Sequence, residues 1–213
     1  MKIEFISDVA CPWCAIGLQG LEQALAALGA AIPVELSFEP FELNPDMGPE
    51  GEDTVAYLAA RYGSTAQQIA QTQEAIRARG AELGFAFGER ARVWNTFDAH
   101  RLLRWAGTVD PAQQRALKHA LLRAYHGEGR DTSDPALLQA LAAAVGLDAQ
   151  RAAAILARDE FAAEVRERER FWQEAGIHSV PAVVIDRRHL ISGGQPPQVF
   201  EDALRRLAGR AGG

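Results

Sequence analysis

A short strand that leads directly into a Cys-x-x-Cys pair is the feature that most constrains this chain. Residues Lys2–Ser7 alternate and are rich in Ile and Phe, which predicts a strand. A helix is predicted from Pro12 to Leu28, and Gly29 ends its apolar pattern. The buried stripe of that helix comprises Cys14, Leu18, Leu21, Leu25 and Leu28. Cys11 and Cys14 therefore lie in the first turn of a helix that follows a strand.

This position suits thiol chemistry. Unpaired N–H groups and the positive end of the helix dipole stabilise a thiolate at Cys11, whereas Cys14 lies one turn deeper and stays protonated. We expect Cys11 to attack a disulfide and Cys14 to resolve the mixed disulfide. Pro12 suits the first helical turn, and Trp13 is expected to cover part of the site. The alternative is a pair of ordinary buried cysteines.

A metal site is not predicted. A structural zinc ion normally needs four ligands, and the chain has only two cysteines and no His-x-x-x-His run. The formal charge of −6, with 22 basic and 28 acidic residues, does not indicate a nucleic-acid or anionic-membrane surface. We find no apolar run long enough for a membrane span and no signal-peptide pattern. If Met1 is the native start, the expected location is the cytoplasm, where a cysteine pair is more often catalytic or metal-binding than structural.

The middle of the chain is predicted to be helical. A second strand is expected at residues 33–38, and residues 41–176 show helical start and stop signals with no convincing strand. Ser64 with Gln67 resembles a capping box. The remaining signals are Asp110-Pro111 and Asp134-Pro135 at helix starts, Gly127 and Gly146 at helix ends, and a charged helix over residues 158–175 that ends at Gly176.

The end of the chain returns to strands. Residues 181–186 and 189–192 resemble a hairpin, and a helix is expected over residues 197–207. Pro181 opens the first of these strands, after Val180. The proline pattern alone favours an ordinary trans bond, because only about 5% of X-Pro bonds are cis.

Several segments resemble a known family. They are Asp8 to Gly17 (DVACPWCAIG), Phe41 to Pro45 (FELNP), Asn95 to Leu102 (NTFDAHRL), Gly176-Ile177 before Val180-Pro181, and Ser192 to Pro196 (SGGQP). Together they are similar to DsbA-like members of the thioredoxin superfamily, and within that group to the FrnE-type branch, described as polyketide-biosynthesis dithiol-disulfide isomerases. The resemblance spans nearly the whole chain.

The resemblance implies an α/β, thioredoxin-like fold with a large all-helical insertion. Residues 1–40 and 177–213 would form the thioredoxin-like domain, and residues 41–176 the inserted helical domain. It also implies a cis Pro181 beside the cysteines, with the backbone of Val180 binding a substrate peptide as an added strand.

Three positions depart from the family pattern. Ser179 replaces the usual glycine before Val180, and Ala15 replaces a common aromatic residue. Phe5 stands where thioredoxin-like proteins often place an acid that accepts the proton of the buried thiol. Asp8 is a candidate substitute for that acid, with a turn or capping role as the equal alternative. His100 is a candidate general base, with a packing role as its alternative.

The predicted function is thiol-disulfide exchange, as oxidase, reductase or isomerase, on protein or small-molecule thiols and disulfides. No cofactor is predicted, although glutathione is a candidate redox partner. One alternative is a glutathione-dependent enzyme of the kappa transferase or 2-hydroxychromene-2-carboxylate isomerase type, whose members generally lack the second cysteine. Another is a non-catalytic, chaperone-like peptide binder. The sequence does not indicate an oligomeric state.

Overall fold

A computed structural model describes residues 1–211 of the chain and contains two sheets. The larger sheet has the strand order β2-β1-β5-β6, formed by β1 (Lys2–Ser7), β2 (Glu35–Pro40), β5 (Ala182–Ile185) and β6 (His189–Ser192). β1 and β2 are parallel, whereas β1–β5 and β5–β6 are antiparallel. The C-terminal end of β1 and the start of β5 therefore meet at one end of the sheet, in its two central strands, and the cysteines follow there.

Helices cover both faces of this sheet. The first helix, α1 (Pro12–Leu28), packs with the last, α9 (Pro197–Ala211), on one face. Their buried residues share a core with Phe5 and Val183. On the opposite face, Ile6 packs with Trp172 of α8 (Ala162–Glu174). Alternation along β1 thus divides its side chains between two apolar layers.

The helical insertion packs around a second apolar cluster. Its helices are α2 (Thr54–Tyr62), α3 (Ala66–Glu82), α4 (Phe97–Val109), α5 (Pro111–Leu122), α6 (Pro135–Ala144), α7 (Ala149–Leu156) and α8. A π-helical turn, Arg123–Gly127, continues α5. Val9 and Ala10, which follow β1, pack in the same cluster as α4, α5, α6 and α7. The loop of residues 8–10 therefore packs against the insertion.

Several sequence expectations are confirmed. The α/β architecture with a helical insertion is present, and α1 has the predicted bounds. Asp110 and Asp134 accept hydrogen bonds from backbone N–H groups and precede proline at the first helical position. The terminal hairpin is also present, and Gly176 has a positive φ of 88° after α8.

Other expectations were wrong in detail. The insertion contains a two-stranded sheet, β3 (Glu52–Asp53) with β4 (Arg92–Val93), where no strand was expected. The capping box uses Thr65 and Gln68, one residue later than predicted, because the Thr65 side chain accepts from Gln68 N. β2 lies two residues further along the chain than predicted, and α8 begins after Phe161, whose positive φ of 62° interrupts the helix.

Candidate functional site

Cys11 occupies the N-cap position of α1. Its backbone is extended, with φ −88° and ψ 114°, and Pro12 takes the first helical position. The Cys14 amide donates to the Cys11 carbonyl oxygen at 3.1 Å, which sets the two residues in one turn. Both cysteines are free thiols and both are buried. Strand β1 ends at Ser7, so the loop of residues 8–10 delivers Cys11 to the helix N-terminus.

The late proline loop faces this thiol. Cys11 Sγ lies 3.7 Å from the Val180 carbonyl oxygen, within reach of a weak S–H···O contact. The Val180–Pro181 peptide bond is cis. A Cβ on Gly17 would approach Pro181 Cγ at 3.0 Å, so the absence of a side chain there lets α1 lie against the loop. The structure thus brings Val180 and Pro181 beside Cys11.

The two thiols differ in environment. Cys14 is completely buried, and burial raises its pKa well above the usual value, as does the neighbouring Cys11 sulfur. Cys11 lies at the surface end of the helix, where 4% of its area is exposed. Trp13, between them, is 42% exposed and stands at the rim of the site. An external disulfide therefore meets Cys11 before Cys14.

Asp8 is a hub of buried hydrogen bonds. Its carboxylate accepts from Ala10 N at 3.2 Å, Leu43 N at 2.7 Å and Thr96 Oγ1 at 2.8 Å. His100 Nε2 lies 3.3 Å from the same carboxylate. Burial opposes ionisation, but His100 and the hydrogen-bond donors outweigh it and lower the pKa of Asp8. Asp8 is thus a stable carboxylate that fixes the loop before Cys11.

His100 joins Asp8 to a second acidic group. It is buried on α4 and interacts electrostatically with Glu42, whose carboxylate binds Arg166. Arg166 Nη1 also contacts Glu169 Oε2 at 2.9 Å. Burial raises the pKa of Glu42 to about 7, and repulsion by Glu169 adds to the effect. His100 therefore interacts with both Asp8 and a second carboxyl group, Glu42, whose pKa is raised.

Two buried residues of the insertion were missed by sequence reasoning. Lys118 on α5 is 0% exposed, and its pKa is lowered by burial although the charges of Cys14, Asp8 and Cys11 oppose that effect. It is one of only two lysines in an arginine-rich chain, and this rarity was a signal that could have found it.

His126, in the π-helical turn, is the other missed residue. Its Nε2 lies 2.8 Å from the Val9 carbonyl oxygen, and its Nδ1 lies 3.2 Å from Arg90 Nη1. Burial and the Arg90 charge lower the pKa of His126 well below 6.5. A neutral ring that accepts from Arg90 and donates to Val9 satisfies both contacts. No local sequence pattern indicates this pairing, because the partners are separated by more than thirty residues.

A cleft opens beside the cysteines. Its volume is about 600 Å³, and it is lined by Pro12, Val55, Ile76, Phe87 and residues that include Arg77, Arg90 and His126. The lining combines an apolar wall with charges of both signs, because Glu89 and Glu128 line the cleft together with Arg77 and Arg90. Within residues 1–211, no group of three or more His, Cys, Asp and Glu side chains could hold a metal ion. None of the described helices is long and apolar enough to cross a membrane.

Comparisons with known proteins agree with this geometry. The model of a family described as DSBA-like thioredoxin domain matches residues 2–205. A probable DsbA oxidoreductase from Streptomyces coelicolor is 36% identical, with a TM-score of 0.91, covering 98% of this chain and 90% of that one. Among curated proteins, none matches the sequence significantly.

Two more distant structures share the fold. A 2-hydroxychromene-2-carboxylate isomerase is 16% identical, with a TM-score of 0.73 over 100% of this chain and 98% of its own. A cytosolic disulfide reductase, DsbM, from Pseudomonas aeruginosa was solved with GSH. It is 17% identical, with a TM-score of 0.68, covering 98% of this chain and 99% of that one.

Proposed function

The chain belongs to the DsbA-like thioredoxin-domain family, and on that basis we propose that it exchanges thiols and disulfides through Cys11 and Cys14. Cys11 is the attacking thiolate and Cys14 the resolving cysteine. The observation that carries this proposal is the asymmetry of the pair: Cys11 lies at the helix N-terminus, and Cys14 is completely buried.

The reaction has two balanced steps. The Cys11 thiolate attacks one sulfur of a substrate disulfide, forms the mixed disulfide and releases the first substrate thiolate. Cys14 loses its proton and attacks the Cys11 sulfur, which breaks the bond to the substrate and releases the second thiolate. The substrate gains two electrons, and the Cys11–Cys14 pair becomes a disulfide. The reverse sequence oxidises a substrate dithiol.

The proline loop positions the substrate in this proposal. Val180 is half-buried and precedes strand β5, so its backbone lies at the end of the sheet where Cys11 contacts it. A peptide beside residues 179–181 would extend the sheet and carry its disulfide over Cys11. Pro12 and Trp13 form the rim on the other side. Asp8 and His100 act by holding the loop and the α4 helix in place.

A matched pair of serine variants tests the assignment. With a disulfide-bonded peptide, Cys14→Ser should accumulate a mixed disulfide at Cys11, detectable as an added mass that a reductant removes. Cys11→Ser should accumulate none, because Cys14 is inaccessible. If both variants trap the peptide equally, or neither does while the wild-type chain exchanges it, the assigned roles are wrong.

The reduction potential of the Cys11–Cys14 pair distinguishes the branch of the family and the direction of the exchange reaction. We propose the FrnE-type isomerase branch on the motifs quoted above. Equilibration in glutathione buffers followed by mass-based thiol trapping measures the potential. A value of about −120 to −180 mV supports an oxidant or isomerase, whereas about −270 mV indicates a reductant and argues against the isomerase branch.

A glutathione-dependent transferase or isomerase is the second candidate. The cleft beside Pro12 favours it, because its mixed lining of apolar, basic and acidic side chains suits a tripeptide that carries two carboxylates, an amino group and a thiol. The Cys14→Ser variant separates the candidates: glutathione-dependent isomerisation would survive the change, whereas dithiol exchange would not. Under the leading proposal, glutathione is a redox partner and the protein works in the cytoplasm, by analogy with the cytosolic reductase that was solved with GSH.

A further inference from the structure

The sheet surface beneath Cys14 lacks an acidic side chain in the part of the chain that the structure describes. Phe5 belongs to the same apolar cluster as Ala15, so Phe5 lies on the face of β1 that α1 covers. Ser7, two residues further along the strand, lies on the same face. Glu4 and Glu39 lie on the other face, where both contact Arg168. Resolution by Cys14 still needs a group that takes its proton.

Lys118 is a buried residue of α5. Leu122, one turn further along, packs in the cluster that contains Ala15, whereas Leu117 and Leu121 pack in the cluster that contains Val9. Lys118 therefore lies where the two clusters meet. Its Nζ is fully buried and has no hydrogen-bond partner among the described residues. A buried polar group without a partner is unfavourable and needs an explanation.

The groups that face Lys118 are those of the reaction site. It interacts electrostatically with Cys14, Asp8 and Cys11, and it also acts on His126. His126 is bound to Val9, and the Asp8 carboxylate already accepts from several donors. Burial lowers the pKa of the Lys118 ammonium, which makes its neutral amine accessible.

We propose that Lys118 is the proton acceptor for Cys14, in place of the acid that Phe5 displaces. The inference rests on the proposed dithiol function and deepens it. During resolution, the Cys14 proton moves to Nζ, the Cys14 sulfur bonds to the Cys11 sulfur, and the substrate sulfur leaves with the electron pair of the broken bond. In the reverse direction, the Lys118 ammonium returns the proton to the departing Cys14 sulfur.

The lysine content of the chain permits a direct test. With carbon-13 in the lysine side chains, NMR should show two Cε signals, from Lys2 and Lys118. The Lys118 signal should titrate together with Cys14 in the dithiol protein and shift to another midpoint on oxidation. Lys2, on the exposed surface, should be unaffected by oxidation. An identical Lys118 titration in both redox states would overturn the proposal.

Kinetics test the same role through Lys118→Met. An excess of an aromatic disulfide with a coloured thiolate product should give two phases, first attack by Cys11 and then resolution by Cys14. We expect the second phase to slow at least tenfold at neutral pH and to rise tenfold per pH unit, with the first phase changed less than threefold. The variant should also unfold at higher urea concentration, because a buried polar group without a hydrogen-bond partner is removed.

Leu121→Ala is the matched control on α5, because it removes buried packing without changing charge. It should lower stability and leave the pH profile of resolution unchanged. An unchanged second phase in Lys118→Met would overturn the proton-acceptor role while leaving dithiol exchange intact. By contrast, a wild-type chain that forms no Cys11–Cys14 disulfide at any glutathione ratio would overturn the proposed function itself.

Discussion

At the scale of single residues, Asp8 shows how a buried carboxylate can hold an active-site loop. Its donors come from three separate parts of the chain: the loop itself, Leu43 after β2, and Thr96 before α4. Removing the negative charge leaves those donors facing an uncharged group. We therefore expect Asp8 to affect stability first, and exchange through the position of Cys11.

The Asp8→Asn variant should lower the free energy of unfolding at pH 7 by about 1–3 kcal/mol, because it leaves buried donors incompletely satisfied. The folded-state pKa is lowered, so this stabilisation is present above the ordinary value of 3.8 and is lost as pH falls through the lower folded pKa. Urea unfolding between pH 5 and pH 3 measures it. Asp134→Asn, at an exposed helix cap, is the control; a pH-independent deficit for Asp8→Asn would contradict the assignment.

Glu42 should give the opposite dependence on pH. Its folded pKa of about 7 exceeds the ordinary 4.5, so its contribution to stability is fully present below pH 4.5 and is lost as pH rises towards 7. Relative to Glu42→Gln, the wild-type chain should lose on the order of 3 kcal/mol across this window, since one pKa unit corresponds to about 1.4 kcal/mol. Urea unfolding over pH 4–8 measures the difference. Exposed Glu50→Gln should track wild type throughout, and a flat difference for Glu42→Gln would refute the prediction.

At the scale of elements, α8 is attached to the sheet by ion pairs. Arg168 Nε contacts Glu39 Oε2 on β2 at 2.6 Å, and Arg168 Nη2 lies 3.6 Å from Glu4 Oε1 on β1. Trp172 Nε1 also donates to Glu39 at 3.2 Å. Both carboxylates are buried, so these contacts offset the cost of removing two charges from water.

Arg168→Met should lower the free energy of unfolding by about 3 kcal/mol. This is the low end of the cost of breaking a buried ion pair, because the arginine side chain is partly exposed. The double variant with Glu39→Gln should recover part of the loss, which a double-mutant cycle in urea would measure. Arg205→Met breaks a surface pair with Glu201 on α9 and should cost less than about 1 kcal/mol. Equal losses at the two arginines would show that Arg168 acts only through packing.

The elements also show what the sequence could and could not predict. The bounds of α1 and the Asp110 and Asp134 caps were predictable, because proline, glycine and cap residues act within a few positions. The β3–β4 ladder was not, since two-residue strands carry no measurable alternation. The capping box was misplaced because Ser64 and Thr65 are adjacent and equally suitable, and only the local backbone selects Thr65.

For the site, the sequence identified the residues near the cysteines and missed the residues that come from distant parts of the chain. The Cys11–Cys14 turn was predictable from its strand-to-helix context. Lys118 stood out only by the rarity of lysine and His126 by nothing local, because their positions depend on how α5 and its π-helical extension pack behind the Cys11 loop. Asp8 and His100 were singled out separately, yet nothing in the sequence indicated their mutual contact.

At the scale of the whole molecule, the division into residues 1–40 with 177–213 and residues 41–176 stays a prediction, and residues 212 and 213 lie outside the described part of the chain. Both apolar clusters contain residues from each of the two predicted parts. The cluster around the sheet includes Phe85 and Leu122 from the insertion. The cluster of α4 to α7 includes Val9 and Ala10 from the thioredoxin-like part. We therefore propose that the two parts depend on each other for stability, although each supplies a distinct share of the active site.

If this is so, the chain should unfold in one transition. Leu138→Ala in the insertion and Ile185→Ala in the sheet each remove a fully buried side chain and should cost about 2–5 kcal/mol. Amide hydrogen exchange at increasing urea should show β1 and α6 opening at the same free energy in the wild-type chain, and each variant should lower both values equally. If Leu138→Ala lowers only α6 and Ile185→Ala only β1, the insertion is an independent domain. In that case the residues it contributes behind Cys14 would be held in place by docking and not by a shared core.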